Sequence, residues 1–443
     1  MNKLKNIPVV RKELLFPFII ITSLFALWGI ANDLTNPMVS AFKKVMPELS
    51  NVQASLVQFA FYFGYFFMAL PAALFIRKYS YKSGIILGLS LYAIGAFLFY
   101  PAAANEQFNY FLISLWVITC GLAFLETTSN PLILIMGDKE TATQRLNLAQ
   151  AFNPIGSLTG MIIAQVFVIG ALRSDDYTTE AYAALTSEEL AVIRENDLGV
   201  ISVPYIALGV LVLIIMAIII ATKMPKTADE DKMTLSESFS KLKANKNYLQ
   251  GVLSQAFYVG AQIMCWTYIF QYVDNLNETN GTDYTATYFN IAAMISFLTG
   301  RWIGTALMKK VNPSRLLMLF GIGGVVMCVG AIFLPGMVGL LSLVGISVFM
   351  SIMFPTIYGI ALKDMGDEAK IGSAGLVMAI VGGALMPVAQ GAILDWGGDG
   401  FSDVQVLGFI PEVNFSFILP LICLAVVAFY GYSSFKRNLK SQS

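Results

Sequence analysis

Runs of roughly 18 to 28 apolar residues recur from end to end of this 443-residue chain, separated by short polar connections. Crossing about 30 Å of hydrocarbon at about 1.5 Å per residue takes about 20 residues, so the solvent for most of the chain is a bilayer. In lipid every backbone N–H and C=O must find its partner within the chain, which makes these runs helices. Only 13% of residues are charged, about half the share of a soluble protein. Net charge is zero, which gives no reason to expect a nucleic-acid partner. Cys120, Cys265, Cys328 and Cys423 lie inside apolar runs without paired spacing, so neither a disulfide framework nor a metal cluster is expected. The absence of histidine removes the commonest acid–base side chain near neutral pH. The first run starts near Leu14, is too long for a signal-peptide core and lacks a cleavage site. Nothing pairs a nucleophile with a base, so neither an enzyme nor a cofactor is expected.

Twelve helices are expected near residues 14–42, 52–76, 83–103, 107–136, 145–172, 199–224, 248–273, 284–308, 315–334, 337–362, 371–394 and 414–434. Of the 28 Lys and Arg residues, 23 fall on the connections that share a side with the N-terminus. By the positive-inside rule both termini are cytoplasmic, which an even number of spans requires. The longest connection on that side divides the chain into an N-terminal six-helix bundle (1–224), a linker (225–247) and a C-terminal six-helix bundle (248–443). Echoes relate the halves: "WGIAN" resembles "YVGAQ", pairing Asn32 with Gln262; "RKYSYKSG" resembles "KKVNPSRL"; and Pro131 echoes Pro355. Two parallel six-helix halves point to an all-α membrane protein of the major facilitator fold, with substrate bound at mid-membrane between the halves. The acidic stretch 173–200 is expected to form a short helix of no assigned role.

Two carboxylates, Asp33 and Glu126, and one cation, Arg301, interrupt the apolar runs. An acid at a helix centre costs about 2.5–3.5 kcal/mol on insertion scales, so both acids are candidates for function. Arg301 is expected to snorkel toward the end of its helix. Amides gather with the acids. Trp28, Asn32 and Asn36 recur every four residues, and Glu126 and Asn130 share a helix face. Asn147, Gln150 and Asn153 follow at intervals of three, and Gln255, Tyr258, Gln262 and Trp266 form a stripe. Amides both donate to and accept from hydroxyls, and an aromatic face packs on the apolar face of a sugar ring. The pattern suits a sugar better than the apolar cations of a drug–proton antiporter, which is the rival reading.

The stretches "IANDLTNP", "VQFAFYFGYF", "LETTSNP", "RLNLAQAFNPIGS", "YVGAQIMCW" and "FMSIMFPTI" resemble the fucose/glucose/galactose–cation symporter family of the major facilitator superfamily. The resemblance implies hexose import by alternating access, driven by a cation gradient. In the fucose branch one carboxylate in helix 1 and one in helix 4 carry proton coupling. The second falls on Glu126. The first falls on Asn36, which has no proton to give, while Asp33 stands three residues earlier where that branch has an amide.

The expected coupling residues are therefore Asp33, Glu126 and Asn36. Asn32, Gln58, Asn130, Gln150, Asn153, Gln262 and Trp266 are expected to contact the sugar. A Na⁺ site from Asp33, Asn36 and Thr127 would supply the hard oxygens small cations prefer. The relocated acid puts Na⁺ slightly ahead of H⁺ in this reading. A monosaccharide and the lipid bilayer are the expected partners, and the setting is a functional monomer in a bacterial inner membrane.

Overall fold

The computed structural model describes residues 7–35, 38–46, 48–49, 51–177, 185–225, 233–395 and 404–440. Ten helical spans among them are long and apolar enough to cross a membrane. The two further expected spans are helical as well, over Lys246–Asn280 with one turn at Tyr268 and over Ala286–Leu307. They are less apolar because they carry Asn247, Gln250, Gln255, Gln262, Asn290 and Arg301.

By contacts the chain forms two compact units. The first comprises Lys12–Leu132 and Phe152–Glu230; the second comprises Met1–Arg11, Ile133–Ala151 and Asp231–Ser443. The short segment 133–151, which lies between expected helices 4 and 5, thus packs with the C-terminal portion of the chain.

In the first unit α1 (Leu15–Thr35), α2 (Met38–Val45), α3 (Asn51–Lys78), α4 (Tyr81–Phe97), α5 (Phe99–Ala104), α6 (Phe108–Ile135), α8 (Asn153–Ile163) and α9 (Ser187–Ala221) supply the core; α7 (Ala142–Gln150) precedes α8 and belongs to the second unit. The tightest seam joins α1 to α8. A Cβ at Gly156 would collide with the Ala26 backbone, and one at Gly29 with the backbone of Asn153 and Ser157. Small residues allow such backbone approach where lipid offers helices no hydrophobic reason to associate. Tyr205 stacks on Phe99 at 3.8 Å between centroids, and its hydroxyl meets Thr35 Oγ1 at 3.2 Å, tying α9 to α5 and α1. Lys82 Nζ donates to the carbonyls of Ile220 (2.7 Å) and Thr222 (2.9 Å), placing a cation on the C-terminal end of α9.

The span expected over 14–42 is helical over Leu15–Thr35 and Met38–Val45, with residues 36 and 37 outside the described ones. One expectation on helix extent changes. Helix 6, expected from 199, starts at Ser187. The Thr186 hydroxyl accepts the Glu189 N–H while the Glu189 carboxylate accepts the Thr186 N–H, a reciprocal cap that starts the helix 12 residues early. Residues 187–200 of the acidic stretch are therefore the opening of a 35-residue helix. The buried Asp197 carboxylate on it accepts the N–H groups of Arg173 (2.9 Å) and Ser174 (3.0 Å) and pins the preceding loop.

The second unit contains α7, α10 (Leu235–Ala244), α11 (Lys246–Thr267), α12 (Ile269–Asn280), α13 (Ala286–Leu307), α14 (Pro313–Phe333), α15 (Gly336–Met350), α16 (Met353–Ala361), α17 (Ala369–Met378), α18 (Gly382–Leu394), α19 (Glu412–Ser416) and α20 (Ile418–Lys440). Helix α10 lies inside the stretch expected as linker. It opens on a second reciprocal cap, Thr234 with Glu237, and hydrogen bonds from Thr234 hold the Glu237 carboxyl below its usual range. A two-residue hairpin, β1 (Gln405–Val406) with β2 (Ile410–Pro411), precedes α19. The α11–α18 seam repeats the device of the first unit: a Cβ at Gly382 would strike the Ala256 backbone, and one at Gly260 would strike Met386. The first helix of each expected half thus meets the fifth through glycine.

Arg145, at the start of expected helix 5, is fully buried. Its Nε donates to the Ile133 carbonyl (2.7 Å), Nη2 to the Leu134 carbonyl, and Nη1 to the Val9 carbonyl (2.8 Å) and Thr141 Oγ1 (3.1 Å). The first two acceptors are carbonyls of the last turn of α6, which have no helical donor left. Arg145→Met leaves several buried carbonyls without partners, at about 1–3 kcal/mol each. Thermal unfolding in detergent is expected to start well below that of the parent, with Arg145→Lys intermediate; an unchanged midpoint for Arg145→Met contradicts this capping role.

Candidate functional site

The two buried acids both fall in the first unit. Asp33 lies in the last turn of α1, and Glu126 lies in α6, five residues before Pro131. Both are partly buried. Asn130 stands one turn beyond Glu126 on the same face of α6 and is fully buried. Tyr62 and Tyr65 lie one turn apart on α3, Tyr62 in the neighbourhood of Asp33 and Tyr65 in that of Glu126. Phe61 packs edge-on against both rings, at 5.9 and 5.7 Å. Close approach of α3 to α6 is possible because Gly64 stands against Thr119, whose Cγ2 would lie 2.7 Å from any Cβ there. The two tyrosines were not among the expected site residues; their spacing of three is masked in the sequence by the aromatics around them.

On the same helix as Asp33, two polar atoms are buried without a protein partner: the Trp28 Nε1 donor and the Asn32 Oδ1 acceptor. They sit on residues one helical turn apart and so face the same side. Asn153 lies at the start of α8, where its Nδ2 donates to the Phe25 carbonyl at 3.3 Å, fastening its side chain to α1. Thr127 is fully buried beside Glu126. Asn36 lies outside the described residues, as does the Gln58 side chain, although Gln58 belongs to α3. Among the described residues no three His, Cys, Asp or Glu side chains gather in a form that could hold a metal.

The remaining expected residues belong to the second unit. Gln150 ends α7 and is nearly buried. On α11, Gln262 and Trp266 are half-buried; Trp266 Nε1 donates to Ser347 Oγ (3.2 Å), and its ring meets Phe297 edge-on at 5.1 Å. Deeper on the same stripe, Gln255 and Tyr258 are fully buried, and neither the Gln255 amide atoms nor the Tyr258 hydroxyl has a protein partner. The sequence stripe includes both, although only Gln262 and Trp266 of it are expected sugar contacts. The geometry puts Glu126 and Asn130 on one face of α6, leaves Asp33 on α1, and gathers Gln255, Tyr258, Gln262 and Trp266 on one helix.

Arg301 does not snorkel. Its side chain is 3% exposed, with the guanidinium 4.7 Å from the Phe297 ring centroid. Nη1 donates to the Gln150 carbonyl at 2.8 Å and Nε to the Ser351 carbonyl. The stem is directed inward because two carbonyls inside the unit need its protons.

The sequence pattern of the Major Facilitator Superfamily matches residues 15–387. The chain is 52% identical over 436 residues to the L-fucose-proton symporter of Haemophilus influenzae, covering 97% of this chain and 99% of the relative. It is 31% identical over 427 residues to a glucose/galactose transporter of Brucella abortus, covering 95% and 94%. A crystal structure of the Escherichia coli fucose:proton symporter superposes with a TM-score of 0.84 at 31% identity, covering 96% of this chain and 99% of that one. Fold, spans and relatives define a multi-pass membrane transporter. The chain belongs to the major facilitator superfamily.

A buried hydroxyl or amide without a partner costs about 1–3 kcal/mol. Tyr258→Phe and Gln255→Met should therefore raise the thermal midpoint of the ligand-free protein in detergent. A midpoint lowered by both substitutions would show that these groups are satisfied in the resting protein.

Proposed function

We propose that this chain imports L-fucose, or a hexose closely like it, together with a proton, across the bacterial inner membrane as a monomer with both termini in the cytoplasm. The observation that carries the reading is the pair of buried, unpartnered polar atoms on α1, Trp28 Nε1 and Asn32 Oδ1. One donates and the other accepts, and a sugar hydroxyl does both. Leaving them unpaired destabilises the empty protein, and a hydroxyl restores what they lack. Gln255 and Tyr258 supply the same complement in the second unit. Sugar contacts fall on Asn32, Gln58, Asn130 and Asn153 in the first unit and on Gln150, Gln262 and Trp266 in the second. Fucose is preferred over glucose and galactose because the fucose symporter of Haemophilus influenzae shares 52% of its residues with this chain, against 31% for the glucose/galactose transporter.

The proton is favoured over Na⁺, reversing the order suggested by the sequence. The relative of 52% identity is named for a proton. A single carboxylate with Thr127 and the amide Asn36 supplies fewer oxygen ligands than a hard cation takes, whereas a proton needs only one oxygen of Asp33 or Glu126. A carboxylate in lipid surroundings is costly when charged, so a neutral, protonated acid travels through the transport cycle more readily than an ionised one. Asp33 takes the helix 1 role that the resemblance assigns to the position of Asn36, less than one turn away. Drug export remains the alternative of the same fold, and the polar, hydroxyl-matching groups on α1 and α11 favour the sugar.

The test is direct. In proteoliposomes Glu126→Gln and Asp33→Asn should each lose accumulation of sugar against its gradient while keeping exchange of labelled for unlabelled sugar, which needs no net proton movement. A thermal-shift panel should show stabilisation by L-fucose beyond that by D-glucose or D-galactose, equal with and without Na⁺. Full accumulation by both variants would remove the acids from coupling, and stabilisation by apolar cations alone would return the reading to drug export.

A further inference from the structure

Two helix breaks carry proline at the same relative place, one between α7 and α8 and one between α15 and α16. Pro154 follows Gln150 by four residues, and Pro355 follows Ser351 by four. Proline has no N–H, so neither the Gln150 nor the Ser351 carbonyl can receive its helical i+4 hydrogen bond. The chain turns at each point: α7 ends at Gln150 before α8 begins at Asn153, and α15 ends at Met350 before α16 begins at Met353. In lipid such carbonyls must be re-satisfied from within the protein. A single guanidinium does both. Arg301 Nη1 donates to the Gln150 carbonyl at 2.8 Å, and Nε donates to the Ser351 carbonyl.

The surroundings are built for this contact. Gly300, next to Arg301, lets α13 lie against α15, where a Cβ would approach the Val348 carbonyl at 2.6 Å and Ser351 Oγ at 2.9 Å. Phe297, one turn earlier, covers the guanidinium with its ring. The partners of Arg301 are carbonyls and an aromatic face, not a carboxylate. What stabilises the charge is therefore the negative end of two helix dipoles. Neighbouring bonds hold the same segment: Gln144 Nε2 donates to the Thr305 carbonyl (3.2 Å) and Asn147 Nδ2 to Thr356 Oγ1 (3.1 Å).

We propose that Arg301 is a positioning residue for sugar recognition: by joining the two proline-orphaned carbonyls it fixes the end of α7, and with it the direction of the Gln150 side chain. This rests on the reading above that Gln150 contacts the sugar. Arginine suits the task because its rigid fork presents donors in two directions at once. A lysine ammonium can reach one carbonyl but not hold both at fixed separation.

The experiment compares Arg301→Lys, Arg301→Met, Gln150→Ala and the double variant Pro154→Ala/Arg301→Met in the full chain. Its readouts are L-fucose affinity by calorimetry and KM and Vmax of exchange in proteoliposomes. Arg301→Met should weaken binding about tenfold or more, and Arg301→Lys by less, with the loss in KM rather than Vmax. Pro154→Ala returns an N–H to Gln150, so the double variant should regain part of the lost affinity. If Gln150→Ala weakens binding while both Arg301 variants bind as the parent does, this inference is wrong and the sugar site stands. If Gln150→Ala also binds as the parent does, the sugar reading of Gln150 is what has failed. No recovery in the double variant rejects the orphaned-carbonyl explanation. Should Arg301→Met not fold, Arg301→Lys decides, since parental affinity in that variant overturns the claim.

Discussion

A backbone carbonyl without its helical donor has no water to turn to in the bilayer, and much of this structure is arranged around that deficit. Arg145 takes the last carbonyls of α6, Lys82 takes those at the end of α9, and Arg301 takes the two that Pro154 and Pro355 release. In each case a cation meets the negative end of a helix, so hydrogen bonding and the dipole act in the same direction. The broken helices are also where polar side chains concentrate. Gln150 ends one helix and Asn153 starts the next, while Ser351 stands at the other break. Breaks that expose backbone and side-chain polarity together are how membrane helices make room for a polar cargo.

The helical spans were legible because their signal is long and redundant: about twenty apolar residues cannot hide in a sequence. The stripe Glu126–Asn130 was legible for a similar reason, since residues four apart on a helix must share a face, and both lie on α6. The early start of helix 6 was carried by a cap signature, Thr186 with Glu189, that hydropathy alone overrode. Tyr62 and Tyr65 were hidden among aromatics that differ from them by a single hydroxyl. The role of Arg301 could not be read at all, because Gln150, Arg301 and Ser351 are about 150 and 50 residues apart, and no local pattern reports such proximity. The prolines are plain in the sequence, and each marks a carbonyl whose lost hydrogen bond must be replaced from elsewhere in the chain.

The unpartnered groups and the acids serve different ends. Trp28, Asn32, Gln255 and Tyr258 hold unspent hydrogen-bonding capacity that a hydroxylated ligand can use. Asp33 and Glu126 are groups that can gain or lose a proton, and Tyr62 and Tyr65 stand near them on α3. Asp33 lies on α1 next to Asn32 in sequence, less than one turn from the position where the resemblance puts the acid. Under the proposed function, cargo and proton would address neighbouring residues of one helix.

The central claim is that sugar and proton move together. The most direct measurement uses proteoliposomes with no imposed gradient and a pH electrode in a weakly buffered medium. Adding L-fucose outside should draw protons inward and raise the external pH at a rate set by the sugar, with Na⁺ making no difference and a protonophore erasing the signal. Fucose entry with no accompanying pH change, or entry that requires Na⁺, would contradict the account.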